Sequence, residues 1–365
     1  MDPRQTLISL TLFGLAFPHF VLAQAPAPGA PLSAAAKSEV IETLGRKLKS
    51  IYVFPDVADR VSAGLADKSA NDGYAAAGTA PAFAKVLADD LRKLGNDRHL
   101  GVLFDPDLVV HAESRSARSP AEVAMERDEM LRDGFGVARV ERLPGNVGYL
   151  DVRGFGPTEF VGDAYGAALS LLAGTDALIL DLRRNGGGEP GSVAYLMSHF
   201  FAEGDARHLN DIYYREGDET RQFWTSASVK SRYTKPVYVL ISGFTFSGGE
   251  ECAYDFQTQK RGTLVGETTG GGANPGEFIA LGHGLVAFIP NGRAINPVTK
   301  TNWEHVGVKP DVTVAAAQAE QTAYAQILRS LVSQATDPEA RDELRTILTR
   351  VEKGESEKVS YAPPH

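Results

Sequence analysis

Two near-continuous apolar runs, each ending in a glycine-rich turn, constrain this chain more than any other feature. They are DALILDLR, residues 176–183, and KPVYVLISG, residues 235–243. Parallel strands that are buried on both faces have this composition. Because a helical segment follows each run, the pattern predicts an α/β core with parallel strands and right-handed crossovers. GTLVGETT (262–269) and GLVAFIPNG (284–292) are predicted as further strands of that core.

Three segments with helical spacing of apolar residues precede the core and predict a three-helix bundle. They are SEVIETLGRKLKSIYVF, VADRVSAGLADKSA and PAFAKVLADDLRKLG. We assign residues 38–115 to this N-terminal helical bundle, 139–315 to the α/β core, and 316–365 to C-terminal helices and a tail.

The N-terminus has the order of a secretory signal: Arg4, an apolar stretch from Leu7 to Leu22, and small residues around Ala23. We expect a signal peptide over residues 1–25 and a Pro/Ala-rich linker over 26–37. An N-terminal anchor is the alternative, but the apolar stretch is interrupted and short for a span of roughly 20 residues. The expected location is outside the cytoplasm, in the periplasm or the extracellular space of a bacterium, with no membrane span left after cleavage.

Composition and charge exclude several classes of site. The net charge of −9 argues against nucleic acid as a partner, because a basic face would be needed to neutralise phosphates. Cys252 is the only cysteine, so neither an intramolecular disulfide nor a multi-cysteine zinc site can form. The turn RNGGGEPG (184–191) lacks both the dinucleotide spacing and the lysine of a phosphate loop. We expect no metal and no organic cofactor.

Ser247, in TFSGGEE, stands where the second apolar run gives way to a helix. The unpaired N–H groups and the dipole at a helix start favour negative charge. A tetrahedral intermediate on Ser247 would place its oxyanion near the N–H of Gly248, with Gly187 of the other glycine turn as a second donor. The plainer alternative is that Ser247 only caps the helix. Local sequence leaves both interpretations open.

A nucleophilic serine needs a base, and several side chains are candidates. His99 lies where the bundle meets the core, and His283 and His305 follow Ser247 in sequence. For any one of these histidines a purely structural role is the commoner outcome. Lys260 is a poor candidate because it ends the helix that Ser247 begins, where a cation suits the dipole without a catalytic role.

Four motifs together resemble peptidase family S41, which includes the tail-specific (C-terminal processing) proteases. They are LILDLRRNGGG, TFSGGEE, LVGETTGGGANPG and NWEHVGVKPDV. The chain most resembles the branch that contains the tricorn core protease and the interphotoreceptor retinoid-binding protein modules. The resemblance implies a crotonase-like α/β core with serine peptidase activity.

The resemblance also implies a site, residue by residue. Ser247 matches the nucleophile, His99 the base, and Glu304 the acidic partner of the tricorn branch. Glu250 and Thr269 match supporting positions. Gly272 stands where the tail-specific proteases carry the lysine of their Ser–Lys dyad, so this chain cannot use that dyad.

The resulting expectation is an exported serine peptidase that hydrolyses peptides or proteins through an acyl-enzyme. The alternative is a catalytically weak module that binds apolar ligands, as the retinoid-binding relatives do. A crotonase-like acyl-CoA enzyme shares the fold, but the acidic chain does not favour a CoA diphosphate.

Overall fold

The computed structural model describes residues 29–113 and 119–355. The expected signal peptide, the first residues of the linker and the end of the tail lie outside the described residues. Within the described residues no helix combines the length and the apolar character that crossing a membrane requires.

Helices and strands alternate through most of the chain. The helices are α1 (Ala34–Ile51), α2 (Pro55–Ala70), α3 (Ala80–Gly95), α4 (Pro106–Glu113), α5 (Pro120–Arg132), α6 (Thr158–Leu172), α7 (Pro190–Ser198), α8 (Gly248–Thr258), α9 (Ala316–Gln334) and α10 (Pro338–Glu352). The strands are β1 (Gly101–Phe104), β2 (Val137–Leu143), β3 (Val147–Val152), β4 (Ala177–Asp181), β5 (His208–Tyr214), β6 (Glu219–Trp224), β7 (Val237–Ile241), β8 (Thr263–Gly266), β9 (Gly276–Gly282), β10 (Leu285–Pro290), β11 (Gly292–Ile295) and β12 (Val312–Thr313).

A six-stranded sheet with the order β12-β8-β7-β4-β3-β2 forms the centre of the α/β core. The two apolar runs of the sequence are its neighbouring parallel strands β4 and β7, with Leu178 paired to Val237. Successive residues of a strand face opposite sides of a sheet. Leu180 accordingly packs with residues of α6, α7 and α8, whereas Ile179 packs with residues of α9. This arrangement confirms the predicted α/β fold class.

The helical bundle is built as the spacing of apolar residues predicts. The Ser33 hydroxyl accepts a hydrogen bond from the backbone of α1, and Thr79 caps α3 in the same way. The first helix begins at Ala34, inside the segment assigned to the linker. One strand prediction needs correction: GLVAFIPNG contains β10, which belongs to a separate sheet of order β1-β10-β9 rather than to the core sheet.

That small sheet joins the bundle to the core. The residue pair Val102 and Ala287 connects β1, which follows the bundle, to β10, which follows the turn containing Gly272. Leu285 and Ile289 of β10 lie in one hydrophobic cluster with residues of the three bundle helices. The bundle and the peptide segment after β8 therefore share a core.

The turns that follow β4 and β7 lie side by side. Both strands are parallel neighbours, so their carboxyl ends meet at the same edge of the sheet, where α/β proteins commonly hold their ligands. The first turn contains Gly186 to Gly188 and the second ends at Ser247.

Candidate active site

Ser247 has a backbone conformation that an ordinary capping residue does not need. It occupies the N-cap position of α8, with φ 51° and ψ −121°. The capping serines of α1 and α5, Ser33 and Ser119, have φ −68° and −66° and extended backbones. Positive φ in a residue with a Cβ is strained, and such strain concentrates at functional sites. The conformation distinguishes Ser247 from the other two capping serines.

The glycine turn after β4 lies directly against Ser247. A Cβ added to Gly187 would stand 2.7 Å from the Cβ of Ser247, and Gly187 has φ 105°. A Cβ added to Gly248 would stand 3.0 Å from the backbone oxygen of Gly188. Glycine at these positions lets the two backbones approach closely enough for their N–H groups to serve one ligand.

One of the expected oxyanion donors already has a partner. The N–H of Gly187 donates to Oδ1 of Asn185 at 2.9 Å. Asn185 is fully buried, and its amide also donates to the backbone oxygen of Val152 at 3.0 Å. Asn185 therefore fixes the shape of the glycine turn, and the Gly187 N–H is not turned freely toward Ser247.

Glu250 joins the serine turn to the loop after β8. Its Oε2 accepts the N–H of Ser247 at 3.0 Å and that of Gly272 at 2.9 Å. Its Oε1 accepts the Gly271 N–H at 2.6 Å and the hydroxyl of Thr269. Burial raises the pKa of the Glu250 carboxyl, while these hydrogen bonds oppose the rise. The geometry brings Glu250 and Thr269 together and ties Glu250 to the backbone of Ser247.

His99 lies beside the residue that precedes the serine. Its ring packs on Phe246 with a centroid distance of 4.6 Å and an angle of 39°, and on Phe288 at 5.9 Å. Both ring nitrogens are buried without a hydrogen-bond partner among the described residues. Burial lowers the pKa of His99, with the negative charge of Asp97 opposing. A neutral imidazole with two unused nitrogens is thus held at the serine turn.

The side chain of Glu304 is 9% exposed and lies in the same region. Its Oε2 accepts a hydrogen bond from the N–H of Ala273. Its Oε1 is buried without a hydrogen bond from any of the described residues and lies 3.5 Å from Nδ1 of His305. Burial raises the pKa of Glu304 to about 7, and the charges of Asp97 and Glu250 add to the rise. Glu304 makes no hydrogen bond to His99, so the expected serine, histidine and glutamate are not linked in a hydrogen-bonded relay.

Asp97, which sequence reasoning missed, anchors the segment that carries His99. Its Oδ1 accepts the N–H of His99 at 2.9 Å. Its Oδ2 accepts the hydroxyl of Tyr52 at 3.0 Å and the amide of Asn274 at 3.1 Å. One buried carboxylate therefore ties the end of α1, the His99 turn and the glycine-rich loop together. The only signal in the sequence was an acidic residue two positions before the histidine.

Other side chains occupy the space beside Gly272, the position where the tail-specific proteases carry the lysine of their dyad. A Cβ added to Gly272 would lie 2.3 Å from the ring of Phe246 and 2.7 Å from Cε1 of His99. A lysine cannot be placed at residue 272 unless both rings move, since contacts under about 3 Å are repulsive. His99 and a Ser–Lys dyad thus compete for the same space.

The remaining candidate bases have other contacts. His283 lies 3.1 Å from Oε2 of Glu39, on the bundle side of the molecule. Lys260 follows the C-terminal end of α8, at the opposite end of the helix from Ser247. Nowhere in residues 29–113 and 119–355 do three or more His, Cys, Asp or Glu side chains form a group that could hold a metal ion.

One cavity reaches the serine turn, and a larger groove reaches the neighbouring glycine turn. The cavity, of about 40 Å³, is lined by Ser247 and Gly248. The groove, of about 910 Å³, runs from Gly187 past Arg153 to the residues around Asp133, at the end of α5. The small cavity offers a place for a side chain, and the groove a path for an extended chain.

Comparisons with known proteins agree with the resemblance inferred from the motifs. The model of peptidase family S41 matches residues 146–314, and the N-terminal domain of Peptidase_S41 in eukaryotic IRBP, the interphotoreceptor retinoid-binding protein, matches residues 32–134. The chain belongs to peptidase family S41. The family places the chain in the expected enzyme class, the serine peptidases, and the second model confirms its likeness to the retinoid-binding branch.

Individual relatives are distant. The tail-specific protease of Haemophilus influenzae is 31% identical over 100 residues, which are 26% of this chain and 13% of that protein. Mature CPAF in complex with lactacystin has a TM-score of 0.55 at 12% identity, covering 88% of this chain and all (100%) of that one. A lipoprotein from Streptococcus agalactiae has a TM-score of 0.53 at 12% identity, with coverage of 80% and 96%. These structures share the fold with this chain.

Proposed function

We propose that this chain is an exported serine peptidase that hydrolyses peptide bonds, with Ser247 as nucleophile and His99 as general base. The observation that carries the proposal is the strained backbone of Ser247 at the start of α8, packed against the glycine turn. A helix cap does not require that conformation, whereas a nucleophile presented to a substrate carbonyl gains exposure from it.

The reaction begins when the Ser247 Oγ attacks the carbonyl carbon of the scissile peptide and its proton passes to a ring nitrogen of His99. The resulting oxyanion accepts hydrogen bonds from the N–H groups of Gly248 and Gly188. Gly188 takes the place of Gly187, because the Gly187 N–H donates to Asn185. Each such donor is typically worth about 3–4 kcal/mol in the transition state. Collapse breaks the C–N bond, and the imidazolium proton goes to the leaving amine.

Deacylation repeats these steps with water as the attacking group. His99 removes a proton from the water, and the same donors hold the second oxyanion. Ionised Glu304 stabilises the imidazolium electrostatically, without a direct hydrogen bond in the unliganded geometry. Catalytic hydrogen bonds in unliganded enzymes are often formed only when substrate binds. The two free nitrogens of His99 are consistent with that assembly.

The nucleophile is tested with a fluorophosphonate probe and peptide mapping. We expect labelling on Ser247 at neutral pH and none in Ser247→Ala. His99→Ala should reduce labelling and peptide hydrolysis by about 10²-fold or more, the usual value of a general base. Lys260→Ala, the matched control, should leave both unchanged. Folded wild-type protein that never labels would favour the binding-module alternative.

A further inference from the structure

The small cavity beside Ser247 has one polar group in its wall that the reaction does not use. Its apolar lining includes Pro190, Ile212, Ala294 and Trp303, and the carboxyl group belongs to Glu251. Glu251 is only 4% exposed, and its Oε1 has no hydrogen-bond partner among the described residues. A buried acceptor left unpaired costs about 1–3 kcal/mol, and a donor on a group bound in the cavity would relieve that cost.

The position of the cavity relates it to the substrate residue on the acyl side of the cleaved bond. Ser247, Gly248 and Gly188 line it, and these are the proposed nucleophile and oxyanion donors. A carbonyl held by those donors places its own Cα, one bond away, at the mouth of the cavity. The side chain on that Cα is therefore the part of a substrate that the cavity can receive.

The volume limits which side chains fit. The cavity measures about 40 Å³. A water molecule occupies about 30 Å³ of liquid, while pockets for larger ligands span about 300 Å³ or more. A methyl or hydroxymethyl group fits this space, whereas a branched or long side chain requires Trp303 or Ile212 to move.

Resting on the proposed function, we infer that this cavity is the primary specificity pocket and that Glu251 selects a small side chain bearing a hydroxyl group, serine over alanine. Burial raises the pKa of Glu251 to about 7, with the nearby Asn210 amide opposing the rise. Whether protonated or ionised, a carboxyl oxygen of Glu251 can accept a hydrogen bond from the hydroxyl group. Alanine leaves that oxygen unpaired, and a site with an unpaired buried acceptor rejects such a substrate.

The test uses four fluorogenic peptides that differ only in the residue on the acyl side of the bond: acetyl-Ala-Ala-Ala-X-aminomethylcoumarin with X as serine, alanine, valine or leucine. We expect kcat/KM for serine to exceed that for alanine by about tenfold or more, the value of one hydrogen bond to a charged group. Valine and leucine should fall at least about tenfold below alanine.

Variants of Glu251 distinguish an effect on side-chain selectivity from an effect on catalysis. Glu251→Leu should bring the serine-to-alanine ratio to about one while alanine peptides are still cleaved. Glu251→Gln keeps an acceptor oxygen and should lower the ratio only partly, which preserves the test if the leucine variant fails to fold. Glu277→Gln is the control, because Glu277 is an exposed carboxyl that is not in the cavity wall. Its serine-to-alanine ratio should equal that of the wild type.

Each outcome is decisive. Cleavage of all four peptides without preference, or a ratio that persists in Glu251→Leu, overturns the specificity assignment and leaves the proposed peptidase intact. Absence of any cleavage that depends on Ser247 overturns the proposed function, and the assignment of the pocket fails with it.

Discussion

At the scale of single residues, the conformation of Ser247 makes a measurable prediction about stability. Both Ser247→Gly and Ser247→Ala remove the hydroxyl, but only glycine adopts φ near +50° without strain. Strain of this kind costs of order 1–3 kcal/mol, and glycine loses somewhat more entropy on folding. We expect Ser247→Gly to be more stable than Ser247→Ala by about 1 kcal/mol in urea unfolding. Equal stabilities would mean that the folded protein does not hold this conformation.

The two titrating groups of the site predict a specific pH profile. Glu304, with a pKa of about 7, must lose its proton to stabilise an imidazolium, whereas burial lowers the pKa of His99 below its ordinary value. We expect kcat/KM for peptide hydrolysis to fall as pH drops through about 7. In Glu304→Gln the plateau should be lower and the acidic limb should move below about pH 6.5, where His99 alone sets it.

An acidic limb that stays near pH 7 in Glu304→Gln would contradict this role of Glu304. His305→Ala provides the control. The His305 ring nitrogen lies 3.5 Å from the same carboxyl, but its side chain is 46% exposed. Because of that exposure, we expect its removal to change the acidic limb of the pH profile little.

At the scale of elements, we expect the contact between the end of α1 and the His99 turn to position the proposed base. Tyr52 donates to Asp97, which in turn accepts the backbone N–H of His99. Tyr52→Phe should lower the free energy of unfolding by about 1 kcal/mol, the net value of a hydrogen bond. It should also lower kcat severalfold, because the His99 turn loses an anchor and small displacements of catalytic groups are costly.

Tyr74→Phe is the matched control for this prediction. Tyr74 is also a buried tyrosine of the bundle whose hydroxyl donates to a carboxylate, Asp90, at 2.9 Å. Its loss should reduce stability by a similar amount without changing kcat. If both variants retain full kcat, Asp97 is only a structural link.

At the scale of the whole molecule, the buried carboxyls of the site make stability depend on pH. Glu304 has a pKa of about 7 when folded, against about 4.3 in an unfolded chain. Between these values the folded state binds more protons, so the free energy of unfolding decreases as pH rises from about 4 to about 7. Relative to that of Glu304→Gln, the free energy of unfolding of the wild type should decrease by about 3 kcal/mol over this pH range.

Urea unfolding of the wild type and Glu304→Gln at pH 4, 5.5 and 8 measures that difference. Glu267→Gln is a suitable control, because Glu267 is exposed and lies at the end of β8. Parallel curves for the wild type and Glu304→Gln would show that the carboxyl is not desolvated in the folded protein.

The sequence predicted what depends on periodicity and local backbone chemistry. Apolar runs without alternation identified β4 and β7, helical spacing identified α1 to α3, and three consecutive glycines marked the turn that packs on Ser247. These signals are local, so they can be read without knowing what each segment touches. The same local signals left Ser247 open between cap and nucleophile.

Tertiary structure decided which distant segments share a site. The pairing of β1 with β10 brings the His99 turn to the loop after β8, a contact that no local pattern records. Asp97, the engaged N–H of Gly187 and the carboxyl of Glu251 in the cavity wall are likewise properties of packing. Residues far apart in sequence bury a side chain and supply its hydrogen-bond partners. Such residues therefore determine the pKa of a carboxyl group and whether a lysine has space at Gly272. By itself the sequence specified the strands, the helices and the glycine turns; their packing set the geometry around Ser247.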